Sequence, residues 1–449
     1  MAAMPSLAPR PGRSIALPYA AGFDALRADL PGGNLPWLSS ARTSAIEHFA
    51  ELGLPSQKVE EWKYSNLSAL AKTEFTGPAQ NDADAVRAQV VARFAKQSAQ
   101  RYRLVFINGM LDKSLSDQVD PSDGARVLGL AEAMAGDADF LKEHLAATPP
   151  LNGQALASLN SAFMSDGCVI QLQADAELAL ELLFVAAPGT GIPAYHPRIS
   201  IAAGANSRAV IQERHVALGA CEYWSNPVTA INLDRGARVR HYKLQDESPS
   251  AWQTALIKAR LAGEAEYENF IVSTGGRFAR NEIEVALEGA GASCTLGGSF
   301  MLVGSQQVDN RLYVDHAAPD CVSRQVYKGV LDEKAHGVFQ AKTLVQRDAQ
   351  KSDGQQLSRA LMLSPDAVMD AKPELEIYAD DVKCSHGATV GELDDEQMFY
   401  LRARGIDEAT ARGLLIAAFL NEHLDLVTDE SAREMLGGAV SEWLGGMEA

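Results

Sequence analysis

The chain has 449 residues, more than one compact hydrophobic core usually fills, so its length predicts two or three structural units. With 47% hydrophobic and 22% charged residues, the composition is typical of a folded globular protein and excludes a disordered one. Forty Lys and Arg against 58 Asp and Glu give a net charge of −18, which repels phosphate backbones and anionic membrane surfaces. We therefore expect no nucleic-acid or membrane partner.

The cysteines and the N-terminal sequence indicate a cellular compartment. The five cysteines form no CxxC pair and no framework spacing, which favours a reducing cytosol over an oxidising compartment. The stretch SIALPYAAGF (14–23) is too short and too interrupted by proline to span a bilayer, and it lacks a signal-peptide pattern. We expect a soluble cytoplasmic protein.

Residues 1–165 are predicted to form a mainly helical N-terminal region. Apolar spacing predicts helices within residues 41–54 and 84–97, and the stretch PLNGQALASLNSAFMSDG (150–167) predicts a closing helix with a glycine stop. Between them, RYRLVFING (101–109) predicts an isolated strand.

Residues 166–391 are predicted to form an all-β core. Short β-branched or alternating runs, among them CVIQLQ, RISIAA and ARVRHYKLQ, are separated by Gly, Asn, Asp and Pro, with almost no helical pattern between them. This texture argues against alternating β/α units. A sandwich, a barrel and a parallel β-solenoid all remain open, because no strict repeat period is visible.

Residues 392–449 are predicted to form a C-terminal helical domain of three helices. Asp394 and Asp407 are candidate N-caps, and the apolar residues of the second helix cover most of its circumference, which predicts burial on more than one side. The segment holds 13 acidic and 4 basic residues, a net charge of −9. This charge is typical either of a solvated face or of a docking surface for a basic partner.

Common enzyme motifs are missing from the sequence. HGVFQAKT (336–343) ends in Lys-Thr, but His336 and Ala341 occupy the positions where a phosphate-binding loop needs glycine, so we expect no ATP binding. The glycine-rich stretches TLGGSF (295–300) and STGGRF (273–278) precede strand patterns, which favours turns or bulges.

Cys384 and His386, in VKCSHGATVG, are the candidate ligand pair. Two residues apart on a strand, their side chains leave the same face, about 7 Å apart. Thiolate and imidazole suit iron, zinc or copper, but two ligands cannot complete a tetrahedral site, so further groups would have to come from elsewhere, including another chain. The alternative is a buried cysteine beside a hydrogen-bonded histidine. His316 and Cys321 form a looser second pair.

Residues 378–406 read YADDVKCSHGATVGELDDEQMFYLRARGI. This sequence resembles the C-terminal signature of the SufD family, whose members are subunits of the SUF (SufBCD) iron–sulfur cluster assembly complex. The resemblance extends through YKGVLDEKAHGVFQAK, AQKSDGQQLSRALMLS, LNSAFMSDG and VEEWKYSNL, and so covers nearly the whole chain. The related SufB subunits end in an EHEAT-like sequence where this chain has Cys-Ser-His-Gly-Ala-Thr.

The resemblance implies a right-handed parallel β-helix core flanked by helical regions. It implies a scaffold subunit that is not an enzyme, pairs with SufB and docks the SufC ATPase through the C-terminal helical domain. A homodimer in isolation is possible. It also implies that His386 and Cys384 are candidate transient ligands, at the SufB interface, of iron or a nascent iron–sulfur cluster, with no cofactor held stably.

Two alternatives remain open at this point. A purely structural partner of SufB would need no ligand role for His386 or Cys384. A β-helix enzyme acting on polysaccharides is the more distant alternative, since fold alone does not fix function. Asp315, His316 and Lys328 are its nearest candidate residues, but such enzymes are usually exported.

Overall fold

The computed structural model describes residues 14–77, 81–95, 101–120, 123–147 and 154–447. Eight α-helices precede the main run of strands: α1 (Pro18–Ala21), α2 (Phe23–Leu26), α3 (Pro36–Leu52), α4 (Ser68–Lys72), α5 (Ala83–Arg93), α6 (Leu130–Gly136), α7 (Ala138–Ala147) and α8 (Ala155–Phe163). Three more follow it: α9 (Asp395–Arg402), α10 (Glu408–Leu424) and α11 (Glu430–Met447). The helices predicted within residues 41–54, 84–97 and 150–167 are α3, α5 and α8; residues 96–97 and 150–153 lie outside the described ranges.

The first strands lie among the N-terminal helices: β1 (Ser14–Ile15), β2 (Leu54–Pro55), β3 (Tyr102–Ile107), β4 (Met110–Leu111) and β5 (Ala125–Gly129). The remaining strands run almost without interruption: β6 (Gly167–Leu172), β7 (Glu177–Ala186), β8 (Ala194–Tyr195), β9 (Arg198–Ala203), β10 (Arg208–Ala217), β11 (Trp224–Ser225), β12 (Val228–Leu233), β13 (Arg238–Asp246), β14 (Trp252–Leu261), β15 (Glu266–Ser273), β16 (Phe278–Leu287), β17 (Ser293–Leu302), β18 (Gln307–His316), β19 (Val322–Leu331), β20 (His336–Val345), β21 (Asp353–Met362), β22 (Val368–Ile377) and β23 (Lys383–Gly391).

These strands form a parallel β-solenoid of about eight turns. Successive strands alternate between two sheets, one ordered β23-β21-β19-β17-β15-β13-β10-β7-β3-β4 and the other β22-β20-β18-β16-β14-β12-β9-β6-β5. The predicted β-helix core between helical regions is therefore confirmed, and the sandwich and barrel alternatives are excluded. The strand predicted within residues 101–109 is confirmed as β3, but it is not isolated, because it pairs in parallel with β7 and extends the first sheet.

The coils differ in length, which explains why no repeat period is visible in the sequence. Glu266 pairs with Ser293, 27 residues later, whereas Ser323 pairs with Gly354, 31 residues later. Alternate residues of each strand point into the solenoid, where Ile211, Leu296 and Leu312 belong to one continuous apolar core. The solenoid thus has a fixed side-chain register without a fixed sequence period.

The two glycine-rich stretches have different roles. Gly276 has φ +81°, and a turn there agrees with the prediction for STGGRF. The same prediction for TLGGSF is wrong, since Gly297 and Gly298 lie inside β17. A Cβ on Gly298 would lie 2.4 Å from the Tyr327 ring, so this glycine makes room for a large side chain of the next coil.

The segment VEEWKYSNL crosses the outer face of the second sheet. The Arg280 guanidinium lies 3.8 Å from the centre of the Trp62 ring, donates to the Glu61 carbonyl at 2.9 Å and pairs with Asp309. The Ser65 hydroxyl donates to the same Asp309 carboxylate. These contacts fix the N-terminal region on β16 and β18.

The C-terminal helices pack on the outer face of the first sheet. Ile416, Leu420 and Leu436 share an apolar cluster with Tyr242 and Phe270 of the solenoid. Asp394 and Asp407 cap α9 and α10 as predicted, each accepting hydrogen bonds from backbone N–H groups of the first turn. The prediction that α10 is buried on more than one side is wrong, because Leu414 is exposed and the helix buries one face.

Candidate functional site

The solenoid ends at β22 and β23, each the last strand of its sheet. Every residue of these two strands is half-buried or exposed, whereas most residues of β20 are buried. Val368, Ile377 and Val390 are among the exposed large apolar residues of the chain. We call β22 and β23 the open end, because the interior of the solenoid is uncovered there.

Cys384 and His386 lie on β23 and face the same way, as predicted from their spacing. In the parallel ladder, Cys384 pairs with Gly354 and His386 pairs with Gln356. The Gln356 side chain is buried inside the solenoid, where its Nε2 donates to Thr343 Oγ1 of the opposite sheet at 2.8 Å. Because parallel pairing aligns side chains in columns, Cys384 and His386 continue interior columns at the open end.

The two side chains differ in their surroundings. Cys384 is half-buried against Val345, Ala349 and Ala379, and this burial raises the pKa of its thiol above the ordinary value. The His386 ring is exposed. The imidazole is therefore the more accessible donor of the pair, and the thiol packs in an apolar cluster that disfavours its thiolate form.

The described residues contain no group of three or more His, Cys, Asp or Glu side chains that could hold a metal ion. Thiolate and imidazole are donors that suit iron, and two of them leave a tetrahedral centre incomplete. The open end can thus offer two ligands to a metal that another molecule also binds.

In the second predicted pair, His316 and Cys321, each side chain bonds other groups of the protein. The His316 ring is buried between the hydroxyls of Ser352 and Ser323, at 3.1 and 2.8 Å, and burial lowers its pKa to about 4. The Cys321 sulfur instead lies 3.4 Å from the carbonyl oxygen of Gly289. His316 is therefore a hydrogen-bonded core histidine.

The residues considered for a polysaccharide-active site likewise make hydrogen bonds within the protein. Asp315 accepts two hydrogen bonds from Gln346, at 2.9 Å each. Lys328 Nζ donates to the Phe419 carbonyl and to Glu422 of α10. These contacts are structural, and they lie on two different sheets.

The interior also contains a charged cluster that the sequence analysis missed. The Glu213 carboxylate bonds His215 Nε2 at 2.5 Å and His241 Nε2 at 2.8 Å, and all three side chains are buried. Burial lowers the pKa of His215, while the two imidazoles hold the pKa of Glu213 well below its ordinary value. The sequence feature that could have indicated this cluster is the presence of polar residues at inward positions of β10 and β13.

A second exposed feature lies on α9. Phe399 is 75% exposed and Tyr400 56% exposed, and the Arg404 guanidinium lies over the Tyr400 ring at 3.4 Å. With Asp395 and Glu396 they line a shallow groove of about 590 Å³. We call this surface the α9 patch. Large apolar side chains rimmed by charges are typical of a protein-binding site.

No helix within the described ranges is long and apolar enough to cross a membrane. The chain matches two protein families: residues 14–181 match the SufBD protein N-terminal region, and residues 185–419 match the SufBD core domain of the SUF system of FeS cluster assembly.

Relatives align over most of the chain. It is 30% identical to an iron–sulfur cluster assembly SufBD family protein of Synechocystis, over 90% of each chain. It is also 30% identical to the iron–sulfur cluster assembly protein SufD of Escherichia coli, over 90% of this chain and 93% of that protein. A chloroplastic protein of Arabidopsis thaliana, ABCI7, is 28% identical over 90% of this chain. The chain therefore belongs to the SufBD family of SUF-system iron–sulfur cluster assembly proteins.

Proposed function

We propose that this chain is the SufD-type scaffold subunit of a SufBCD complex. It pairs with a SufB subunit through the open end, docks the SufC ATPase on its C-terminal helices, and offers His386 and Cys384 to iron or a nascent cluster shared with SufB. The iron or cluster is cargo, not a resident cofactor. The observation that carries this proposal is the position of a thiol and an imidazole at the uncovered end of the solenoid.

Pairing at the open end is supported by its exposed interior. Val390 and Ile377 are exposed there, and Met369 is half-buried, although their columns are buried in the preceding coils. Covering apolar side chains is favourable at about 25 cal/mol per Å². A partner that adds a coil-like face would supply the missing cover.

The ligand role is supported by the donor set. Cys384 and His386 share a face that a partner would cover, so a metal bound by both would lie between the two subunits. Ligands from the partner would complete the coordination. The competing function is that of a purely structural partner of SufB. The packing of Cys384 against Val345 and Ala349 favours such a structural role for this residue.

SufC docking is supported by the α9 patch and by the net charge of −9 of residues 392–449. The helix that follows the patch, α10, is anchored to the solenoid, because Lys328 and Ser299 bond its residues Glu422 and His423. A partner with an apolar cavity and a basic rim would fit this surface.

The test is co-expression with SufB and SufC from the same genome, followed by size-exclusion chromatography and iron analysis. We expect a ternary complex in which reconstituted iron–sulfur clusters depend on His386. A complex that assembles and matures clusters equally well with His386→Ala and Cys384→Ala would establish the purely structural function instead. Failure of SufB to bind the wild-type chain would contradict the proposal as a whole.

A further inference from the structure

The sequence VEEWKYSNL, residues 59–67, has no part in the proposed function, although it contacts four strands of the second sheet. We call this segment the strap. Residues Glu60–Trp62 form a short 3-10 helix, and the Trp62 and Leu67 side chains are buried in an apolar cluster with Phe278, the first residue of β16. The strap is therefore anchored in the body of the protein.

From this anchor the strap reaches across the outer face of the sheet to the open end. On β20, Gln340 Nε2 donates to the Glu61 carbonyl at 3.3 Å. On β22, Lys372 Nζ lies 2.6 Å from Glu60 Oε1. Gln340 and Lys372 are direct neighbours in the ladder between these two strands. The strap thus follows one row of outward side chains to the last strand of the sheet.

This arrangement adds a connection that a solenoid does not have by itself. Each coil of a solenoid contacts its neighbours, and stability is approximately a sum over neighbouring interfaces. Within the described ranges β22 is the end of its sheet and pairs with β20 alone. The strap bypasses the strands between, because Trp62 lies over Arg280 of β16 while Glu60 is bound to β22, three strands further along. The open end is thereby tied to the body of the protein as well as to its neighbour.

The corner between the last two strands extends this restraint to the candidate ligands. Residues 378–382 join β22 to β23. Ala379 and Val382 of this corner pack with Cys384 and with Val345 of β20. The position of the thiol, and of the strand that carries it, therefore depends on how β22 and the corner are held.

We infer that the strap is a positioning element, which holds the open end against the solenoid and so keeps Cys384 and His386 in register with the coil beneath. This inference deepens the proposed function and rests on it for the role of the two ligands. Terminal elements open locally at a low cost in free energy. A subunit whose last coil stays uncovered for a partner needs another means of keeping that coil ordered. The strap supplies it from the side, without covering the coil.

The contact between Glu60 and Lys372 can be tested by residue-resolved amide hydrogen exchange on the isolated chain. The amides of Val368, Tyr378 and Lys383 report on the open end, because each donates to a carbonyl of the preceding coil at 2.9 Å. Glu60→Lys replaces an ion pair by a repulsion, so these amides should exchange about two- to fivefold faster than in the wild type. Glu60→Lys combined with Lys372→Glu restores opposite charges and should return the rates to the wild-type values.

Two controls separate this effect from a general loss of stability. The amides of His336 and Asp353, at the starts of β20 and β21, should exchange at the same rate in all these variants. Lys63→Gln, which changes the charge of an exposed strap residue, should leave the open end unchanged. Unchanged rates at the open end in Glu60→Lys, or rates as fast in the double variant as in the single one, would overturn the inference.

A second comparison tests whether the strap acts from a distance. Trp62→Leu removes the aromatic ring over Arg280, three strands away from β22, and keeps a buried apolar side chain. Trp252→Leu is the matched control, because Trp252 is buried in the same apolar cluster and has its own cationic neighbour, Arg277, at 5.3 Å. We expect faster exchange at the open end in Trp62→Leu and not in Trp252→Leu. Equal acceleration in both would show that the open end follows the general stability of the cluster, and would overturn the inference.

Ser65→Ala is a milder form of the same test, for the case in which Trp62→Leu does not fold. It removes the hydrogen bond that the strap donates to Asp309 on β18. The open end should again exchange faster than in the wild type, and an unchanged rate would contradict the role of the strap. All these measurements use the chain alone, so their outcome is separate from whether SufB binds. A failed test would remove the strap from the argument and leave the proposed pairing intact.

Discussion

His386 pairs with Gln356 in the parallel ladder between β21 and β23, so its exposed imidazole continues a column whose next member is buried. The buried Gln356 side chain bonds Thr343 across the solenoid, whereas the exposed His386 is left for another molecule. Most solenoids protect their terminal coils with a polar cap. An uncovered terminal coil that carries a thiol and an imidazole is better explained by association than by stability.

His386→Ala should harm cluster assembly without harming the fold. A single exposed side chain costs on the order of 1 kcal/mol or less, so the thermal midpoint should stay within a few degrees of the wild type. Iron content and cluster yield of the complex should fall sharply, as measured by colorimetric iron analysis and visible absorption. Ser385→Ala is the matched control, because Ser385 is its exposed neighbour on the opposite face.

A different result would reassign the histidine. If His386→Ala lost complex formation, while any complex that did form matured clusters at the normal rate, the residue would be a structural contact. Comparing yield per assembled complex, and not per cell, separates the two roles.

Cys384 should react slowly with alkylating reagents, because burial raises the pKa of its thiol. The thiolate is the reactive form, so the alkylation rate at pH 8 should lie below that of a free cysteine peptide and should still be rising above pH 9. Mass spectrometry of the Cys221→Ser variant isolates this signal, since the other three cysteines are buried. Reaction as fast as the free peptide would contradict the assigned burial.

The sequence predicted the elements of the fold better than their arrangement. Strand patterns and turn residues located the β core, and the N-caps Asp394 and Asp407 located α9 and α10, because these are local features. The choice among sandwich, barrel and solenoid depends on which strands pair, and coils of 26 to 32 residues hide that pairing from a search for a fixed period. Only the family resemblance indicated the solenoid in advance.

For the candidate site too, the local features could be predicted from the sequence and the wider arrangement could not. The shared face of Cys384 and His386 follows from strand geometry alone, and the structure has them facing the same way. That β23 is the last strand of its sheet could not be predicted, since it depends on where the solenoid stops. The buried Glu213–His241 pair was missed because its two residues lie 28 positions apart and meet only through the ladder.

The α9 patch should be required for SufC binding and dispensable for folding. Phe399 is 75% exposed, so Phe399→Ala should leave the thermal midpoint nearly unchanged while weakening SufC binding, because large exposed aromatic residues are frequent binding hot spots. Val91→Ala, at another exposed apolar residue on α5, is the control. Point variants are preferable to truncation after residue 390, because α10 and α11 cover Tyr242 and Phe270 of the solenoid. SufC binding that is unaffected by Phe399→Ala would place the docking surface elsewhere.

Acid should weaken the attachment of the C-terminal helices through His423. Its ring is buried against Phe270, its Nδ1 lies 3.0 Å from Ser299 Oγ, and burial lowers its pKa to about 3. Lys328 also disfavours the charged form, and Glu422 partly offsets this. The folded chain therefore holds a neutral imidazole at pH values where the unfolded chain, with an ordinary pKa of about 6.5, binds a proton.

The sign of the pH effect follows from this difference in bound protons. The contribution of His423 is fully present above pH 6.5 and is lost progressively as the pH falls toward 3, by up to about 1.4 kcal/mol per pH unit. His423→Gln keeps a side chain that can bond Ser299 but does not titrate. Between pH 7 and pH 5, urea unfolding of the wild type should therefore lose about 2 kcal/mol more than that of the variant. Near-UV circular dichroism of the tryptophan in α11, Trp443, would follow the detachment of the C-terminal helices. Equal losses of unfolding free energy in the wild type and the variant would show that His423 does not control this attachment.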